Sequence, residues 1–227
     1  MATIQEQGMS APSPAAPLEE KERQELPVRR VLIGATGSVA SIKVPQLARS
    51  IIKQGLDAHG LHIEIAIAAS NSALHFFRHE QLPEENVTLY TDQDEWSEWK
   101  KIGDPVLHIE LRKWADICVV APLDANTMAK VATGFCDNLL TCVLRAWDMT
   151  KPRIVCPAMN PMMWEHPITD TQISTLKMLG FGVIDPVAKT LACGDVGMGA
   201  MAEPDDIARV VVDELAALLA RGKEPAA

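Results

Sequence analysis

The residue best suited to ligand recognition is Asn160, which stands between two prolines in residues 157–164, Pro-Ala-Met-Asn-Pro-Met-Met-Trp. Because each proline fixes its own φ angle, these residues are expected to form a stiff loop. An amide has N–H donors and an acceptor oxygen, and among methionines and a tryptophan it could orient a small polar group. Asn160 could equally be the N-cap of a following helix, and the local sequence leaves both roles open.

Three other segments place hydroxyl, amide or carboxylate groups directly after a short apolar run. They are residues 37–40, Gly-Ser-Val-Ala, residues 70–72, Ser-Asn-Ser, and residues 122–127, Pro-Leu-Asp-Ala-Asn-Thr. The apolar runs that precede these segments and residue 157 are residues 30–33, 61–69, 116–121 and 153–156. Each run predicts a buried strand that ends in a polar loop.

Helical patterns lie between these strands, and a fifth strand is predicted at residues 181–184. The predicted helices are residues 38–54, 108–114, 128–132, 137–147 and 167–179, and a last amphipathic helix with Ile207, Val210, Val211, Leu215, Leu218 and Leu219 on its inner face. Residues 81–105 lack periodicity and are interpreted as a surface excursion. Apolar strands that alternate with helices are typical of an α/β fold with a parallel sheet. Ligands bind at the carboxyl ends of such strands, so the four polar loops are predicted to form one site.

The overall composition is that of a globular protein, with 227 residues, 48% hydrophobic and 22% charged, and a formal net charge of −9. One domain at residues 28–221 is expected, between a disordered tail at 1–27 and a short tail at 222–227. The absence of a basic cluster argues against nucleic acid and membranes as partners. With no signal peptide, no apolar run long enough to span a membrane and no paired cysteine spacing, a cytoplasmic protein without a metal site is predicted.

The first loop offers glycines ahead of a helix N-terminus, an arrangement that favours a phosphate group. A dinucleotide fingerprint is incomplete, because no third glycine follows Gly34 and Gly37 and the second strand runs into Ser70 without an acidic residue. Hydroxyl groups at Ser38, Ser70 and Ser72 suit a mononucleotide phosphate better than they suit NAD. A tight turn without a ligand is the alternative interpretation of the first loop.

Two longer motifs and several short ones occur in a characteristic order. The longer motifs are residues 157–164 and residues 191–195, Leu-Ala-Cys-Gly-Asp, continued by residues 199–204, Gly-Ala-Met-Ala-Glu-Pro. The short ones are residues 37–40, 104–111, 121–127 and 137–142. Together they resemble the motifs of the flavin-dependent cysteine decarboxylases, over about residues 29–215. The resemblance implies a flavodoxin-like, three-layer α/β/α fold with a central parallel sheet, bound FMN, and a homotrimer with active sites between subunits.

The resemblance also implies roles for individual residues. FMN would be held by Gly37, Ser38, Val39, Ala40, Ser70, Asn71, Ser72, Asp124, Ala125, Asn126, Thr127 and Ala158. His108 would be the catalytic base and Cys193 the proton donor. Asn160 would bind the carboxylate of the substrate. Other contacts to the substrate would come from Lys113, Ala192 and Met201. Relatives tend to carry two arginines where this chain has Arg112 and Lys113, and one of them contributes to the substrate site. A lysine keeps the charge but lacks the bidentate guanidinium group of arginine. Two interpretations of Lys113 are therefore equal: it contacts the substrate, or it lies on a solvated helix face.

The reaction that the resemblance implies is decarboxylation of 4'-phosphopantothenoyl-L-cysteine to 4'-phosphopantetheine in coenzyme A biosynthesis. A simple carboxylate leaves a carbanion without an electron sink, so the CH₂–S carbon is first oxidised to a thioaldehyde, which requires a flavin. Loss of carbon dioxide then gives an enethiolate. Reduction of the enethiolate to the saturated thiol leaves no net redox change.

Two alternatives come from relatives of the same family. Some are inhibitory subunits of a protein phosphatase or share a composite decarboxylase, and others decarboxylate the C-terminal cysteine of a peptide. Because His108, Asn160 and Cys193 are all present and the C-terminus is not acidic, a self-sufficient decarboxylase is favoured over a regulatory subunit. The segment 192–195 and the predicted N-terminal tail weigh against a peptide substrate.

Overall fold

The computed structural model describes residues 26–191 and 194–221. The predicted tails lie outside the described residues, apart from Leu26 and Pro27, and so do two predicted site residues, Ala192 and Cys193. Within the part of the chain that is described, no helix is both long enough and apolar enough to cross a membrane.

Six strands form a parallel sheet in the order β3-β2-β1-β4-β5-β6, and two others form a separate antiparallel hairpin. The strands are β1 (Val28–Ala35), β2 (His62–Ala69), β3 (Val87–Thr91), β4 (Ile117–Leu123), β5 (Arg153–Pro157), β6 (Gly182–Val183), β7 (Val187–Thr190) and β8 (Val196–Ala200). Strand β4 is buried along its whole length, and β1 is buried over its C-terminal part. Burial on both faces of the sheet explains why these strands appear as continuous apolar runs in the sequence.

The helices cover both faces of the sheet. They are α1 (Val44–His59), α2 (Asp92–Glu98), α3 (Leu107–Trp114), α4 (Ala125–Thr133), α5 (Leu139–Arg145), α6 (Pro161–Trp164), α7 (Pro167–Met178) and α8 (Pro204–Arg221), with short 3₁₀ helices at Val39–Lys43, Ala73–His75 and His79–Gln81. Helices α1 and α8 pack in the apolar cluster of one face. Helices α3, α4, α5 and α7 pack in that of the other. The predicted three-layer α/β/α fold is confirmed.

The interpretation of residues 81–105 as a surface excursion is wrong, because this segment contains β3 and α2. Strand β3 lies at the edge of the sheet and is only partly buried, so it has no continuous apolar run that would reveal it. The β7–β8 hairpin is not predicted either, since its residues are mostly exposed and include two glycines. Val210, expected on the inner face of the last helix, is exposed, whereas Leu215 is fully buried.

Pro45 lies within the helix predicted at residues 38–54, where a proline would break the hydrogen-bond ladder. The structure divides this segment into a 3₁₀ helix, Val39–Lys43, and helix α1, which begins at Val44. Pro45 therefore occupies the first turn of α1, where a backbone N–H has no partner within the helix. The proline marks the start of α1 and does not kink it.

Replacing Leu215 with alanine is expected to lower the free energy of unfolding by roughly 2–5 kcal/mol, because its side chain is buried in the cluster that α8 shares with α1 and the sheet. The matched change Val210→Ala removes an exposed side chain of the same helix and should cost less than about 1 kcal/mol. Urea denaturation followed by circular dichroism measures both. Equal losses in the two variants would contradict the assignment of Leu215, and not Val210, to the core.

Candidate functional site

The four loops predicted to form one site lie at the carboxyl edge of the parallel sheet, and hydrogen bonds join them. Ser70 N donates to Ala35 O over 3.0 Å, which joins the ends of β2 and β1. Ala158 N donates to Leu123 O over 2.9 Å, which joins the ends of β5 and β4. The hydroxyl oxygens of Ser70 and Ser72 lie 3.1 Å apart. The loops after β1, β2, β4 and β5 therefore form one continuous edge.

Asp124 joins the loop after β4 to the loop after β1. Its Oδ1 accepts from Thr127 N over 2.7 Å, which makes Asp124 the N-cap of α4, and its Oδ2 accepts from Gly37 N over 3.0 Å. The buried Thr36 Oγ1 donates to Pro122 O and accepts from Asp124 N, both over 2.8 Å. Two side-chain oxygens, Asp124 Oδ2 and Thr36 Oγ1, therefore fix the relative position of the two loops.

Gly37 lies close to two of the other loops. A Cβ atom at this position would lie 2.5 Å from Ser72 Oγ and 3.0 Å from Asp124 Oδ2, so a side chain would force the loops apart. The next residue, Ser38, is the N-cap of the following 3₁₀ helix, and its Oγ accepts from Ala40 N over 3.3 Å. The glycine of the predicted phosphate loop is thus required by close packing.

A cavity of about 430 Å³ opens beside this edge, between the loop after β1, the loop after β5 and the β7–β8 hairpin. Its volume lies in the range of small-molecule and cofactor sites. The predicted site residues that line it are Ser38, Val39, Ala40, Ala158, Asn160 and Met201. Residues 70–72 and 124–127 lie at the same sheet edge but are not among the lining residues. Two lining lysines, Lys43 and Lys189, both pair with the carboxylate of Glu203.

Asn160 is the N-cap of α6 and also lines the cavity. Its Oδ1 accepts from Met162 N over 2.9 Å, and its Nδ2 donates to Asp195 Oδ2 over 2.5 Å. The cap uses the amide oxygen, while the amide nitrogen holds a carboxylate. The two interpretations that the sequence leaves open for Asn160 are therefore compatible in one geometry.

The β7–β8 hairpin rests on the loop after β5 through close backbone contact. Met159 N donates to Gly199 O over 2.9 Å. Gly199 has a φ of 137°, and a Cβ atom there would lie 2.2 Å from Met159 O, so the contact requires glycine. Near the hairpin turn, Leu191 N donates to Asp195 O over 2.8 Å. The predicted proton donor, Cys193, falls between these two residues in the sequence and lies outside the described residues.

His108, the predicted catalytic base, lies in the first turn of α3 and is not among the residues that line the cavity. Its Nδ1 is 2.5 Å from Oε1 of Glu95, a residue of α2 that is only 8% exposed. A neutral imidazole that donates from Nδ1 to a carboxylate has its lone pair on Nε2. In that tautomer Nε2 is the acceptor of His108, on the opposite side of the ring from Glu95.

Glu95 is a residue of the site that sequence analysis missed, because it falls in the segment interpreted as a surface excursion. One signal could have placed it. Thr91 is followed three residues later by Asp94, a capping-box pattern that predicts the start of a helix. A helix that starts there puts Glu95 in its first turn, four residues after Thr91.

Cys142 of α5 lies close to the His108–Glu95 pair. One possible ligand atom from each of the three residues lies within 4.8 Å of those of the other two. Burial, and then the charge of Glu95, raise the pKa of the Cys142 thiol to about 11. The thiol is therefore protonated at neutral pH.

Lys113 bonds Glu110 on its own helix over 2.9 Å, and both side chains are more than half exposed, at 57% and 51%. A pair three residues apart on an exposed helix face is typical of a solvated surface. The contact agrees with the second of the two interpretations that the sequence leaves open for Lys113.

The Flavoprotein family profile matches residues 19–216 of the chain. A phosphopantothenoylcysteine decarboxylase of Mus musculus is 53% identical over 198 residues, which cover 87% of this chain and 90% of the mouse protein. A phosphopantothenoylcysteine decarboxylase of Arabidopsis thaliana is 52% identical over 191 residues, which cover 82% of this chain and 87% of the plant protein.

Two solved structures are similar to the chain at comparable identity. A Cys-to-Ser mutant of PPC decarboxylase, complexed with pantothenoylaminoethenethiol, is 52% identical with a TM-score of 0.75, covering 81% of this chain and 96% of its own. The FMN binding protein AtHal3 is 50% identical with a TM-score of 0.74, covering 87% of this chain and 99% of its own. The chain therefore belongs to the Flavoprotein family and, within it, resembles the phosphopantothenoylcysteine decarboxylases.

Proposed function

We propose that the chain is an FMN-dependent decarboxylase that converts 4'-phosphopantothenoyl-L-cysteine into 4'-phosphopantetheine, a step of coenzyme A biosynthesis. The similarity to decarboxylases of mouse and Arabidopsis supports this reaction. The observation that carries the proposal is the hydrogen bond from Asn160 Nδ2 to Asp195 at the edge of the cavity. In that bond an amide nitrogen holds a carboxylate, the group that the reaction must orient and release.

FMN would be held along the carboxyl edge of the sheet, and the residues present suit it. The hydroxyls of Ser38, Ser70 and Ser72, at the ends of β1 and β2, suit a phosphate group. The apolar side chains of the cavity wall, which suit a flat flavin ring, are Val39, Ile42, Ala158, Met159 and Met201. When bound, FMN supplies two-electron chemistry, accepting electrons from the cysteine moiety and returning them.

Asn160 would hold the substrate carboxylate in the place that Asp195 takes at its Nδ2. A neutral amide stabilises a carboxylate less than a cation does, so it orients the group without opposing the loss of its charge as carbon dioxide leaves. The two lysines of the cavity share the single carboxylate of Glu203, so these three side chains together keep one net positive charge. The neutral amide of Asn160, and not a lysine, would orient the carboxylate that must depart.

His108 would take the thiol proton of the substrate at Nε2, since Glu95 holds the Nδ1 side of the ring. Glu95 is in this account a positioning residue, because it acts through the tautomer and orientation of His108. Cys193 would return a proton to the enethiolate carbon, a role that rests on the family resemblance. A structure of a Cys-to-Ser mutant with an enethiol bound agrees with a cysteine acting after decarboxylation.

The active site would be completed between the subunits of a homotrimer. Asn160 lines the cavity and His108 does not, so the cavity of one subunit needs its base from elsewhere. Large apolar side chains are exposed on α2 and in the loops after α2 and α4, among them Trp96 at 78%, Ile102 at 95% and Phe135 at 68%. Burial of this surface would favour association and bring His108 to the cavity of the adjacent subunit.

We also infer a cytoplasmic location. The four cysteines within the described residues are unpaired, which suits a reducing compartment. The family resemblance also suggests binding to a protein phosphatase as an alternative role. The decarboxylase activity of the isolated chain distinguishes that role from the proposed enzyme.

The proposal is tested by the activity of the isolated chain. The purified protein should be yellow and should release carbon dioxide from 4'-phosphopantothenoyl-L-cysteine while forming 4'-phosphopantetheine. A colourless protein would contradict the FMN assignment. A flavoprotein that is inert alone but active after mixing with a related chain would favour the composite enzyme or the phosphatase subunit.

Asn160→Ser is expected to lower kcat/KM by roughly ten- to a hundredfold, because a hydrogen bond to a charged group contributes about 1.5–3 kcal/mol. Serine is as good an N-cap as asparagine, so the thermal midpoint should change little. Asn138, the N-cap of α5, offers a matched control, since Asn138→Ser makes the same change away from the cavity. Steady-state kinetics decides: a correctly folded Asn160→Ser protein with unchanged kcat/KM would show that the amide does not bind the carboxylate.

Asp124→Ala is expected to weaken retention of FMN, because it releases the loop after β1 from the start of α4. Loss of the cap should also lower the free energy of unfolding by roughly 1–2 kcal/mol. The control is Asp137→Ala, which removes an exposed carboxylate paired with Lys130. The flavin-to-protein ratio after gel filtration measures the effect, and an equal ratio in the two variants would refute the role of Asp124.

A further inference from the structure

The residues around His108 form a cluster that the proposed reaction does not fully use. Glu95 comes from the first turn of α2, His108 from the first turn of α3, and Cys142 from α5. One possible ligand atom from each lies within 4.8 Å of the other two. Three separate elements thus bring a carboxylate, an imidazole and a thiol together.

This set of groups suits a thiophilic divalent cation. Zn²⁺ binds thiolate, imidazole and carboxylate ligands, and sites with three protein ligands keep a fourth position for water. Ligands about 2 Å from one ion lie a little over 3 Å from one another, so the 2.5 Å contact between His108 Nδ1 and Glu95 Oε1 would open slightly as the ion replaces the shared proton. Small side-chain movements would bring the three ligand atoms within bonding distance of one ion.

The cluster can be reached by a small ion. The His108 side chain is 25% exposed in the single subunit and would face the substrate cavity in the proposed assembly, so an ion would enter by the same route as the substrate. The Glu95 side chain is only 8% exposed. A buried carboxylate facing an imidazole and a thiol supplies the negative charge that attracts a cation. The sequence does not indicate this site, because its ligands are far apart in the chain and follow no recognised metal-binding spacing.

We propose that Glu95, His108 and Cys142 form a binding site for a thiophilic divalent cation such as Zn²⁺, and that the bound ion inhibits the decarboxylase. The ion takes the lone pair of His108 Nδ1, so the single proton of the neutral imidazole moves to Nε2. The Cys142 thiol loses its proton to solvent, and Glu95 binds as the carboxylate. With a proton on Nε2, His108 no longer accepts one from the substrate thiol. The inhibition rests on the proposed function, whereas the metal site does not.

The binding part is tested with Cd²⁺, because a cadmium–thiolate bond gives a charge-transfer absorption in the ultraviolet that imidazole and carboxylate ligands do not. Titration of the flavin-loaded protein should produce this band with one Cd²⁺ per subunit. Cys142→Ala should lose the band while keeping its flavin, which shows that it is folded. Cys118→Ala and Cys156→Ala remove buried thiols outside the cluster and should keep it. No band in the unmodified protein, or an unchanged band in Cys142→Ala, would overturn the site.

The regulatory part is tested by the decarboxylase activity in the presence of Zn²⁺. Zn²⁺ should inhibit the unmodified enzyme, and a chelator should restore activity. Cys142→Ala should keep its basal activity and need a Zn²⁺ concentration more than about tenfold higher for the same inhibition, since even loss of an outer-shell partner weakens metal binding by roughly ten- to a hundredfold. Equal inhibition of both proteins would overturn the inhibitory role. A chain that gives the cadmium band but no decarboxylation in the absence of metal would refute the proposed function and leave the metal site standing.

Discussion

The carboxylate of Asp124 sets the geometry on which the candidate site depends. One of its oxygens accepts the N–H of Gly37 after β1, and the other accepts the N–H of Thr127 in the first turn of α4. The first-turn N–H groups of a helix have no partner in the helix itself, so an acceptor at this position stabilises α4 and holds the neighbouring loop with the same side chain. Because Gly37 has no side chain, the Ser72 loop can also approach. The polar groups that would bind FMN are therefore placed by the termini of the sheet and helices.

The groups that would act on the substrate are likewise oriented by hydrogen bonds within the fold. Asn160 is oriented because its oxygen caps α6, and the same constraint directs its nitrogen at a carboxylate on the hairpin. His108 is oriented by a buried carboxylate from α2. Asn160 lines the cavity and His108 does not, and His108 pairs with α2, the helix that carries the exposed Trp96. An assembly of subunits would unite Asn160 and His108.

The parts of the fold that could be predicted are those whose residues are buried on both sides. Strands β1, β2, β4 and β5 are largely buried and appear as apolar runs, so their order, their parallel arrangement and the polar loops at their ends follow from the sequence. Strand β3 could not be predicted in this way, because an edge strand faces solvent and has no such run. The hairpin is concealed for a related reason, since its glycines serve contacts between backbones that the pattern of side chains does not record. Glu95 was missed because its importance lies in its contact with His108, thirteen residues away.

The central claim is a decarboxylase site that combines Asn160 of one subunit with His108 of another. Its most direct test is the co-expression of His108→Ala and Asn160→Ser chains. Alone, the first should be nearly inactive, and the second should keep roughly one tenth or less of the unmodified activity. In randomly mixed assemblies, about one quarter of the sites between subunits would contain both intact residues, so activity should recover to about one quarter of that of the unmodified enzyme. A mixture that forms mixed assemblies but is no more active than the two variants alone would contradict the shared site.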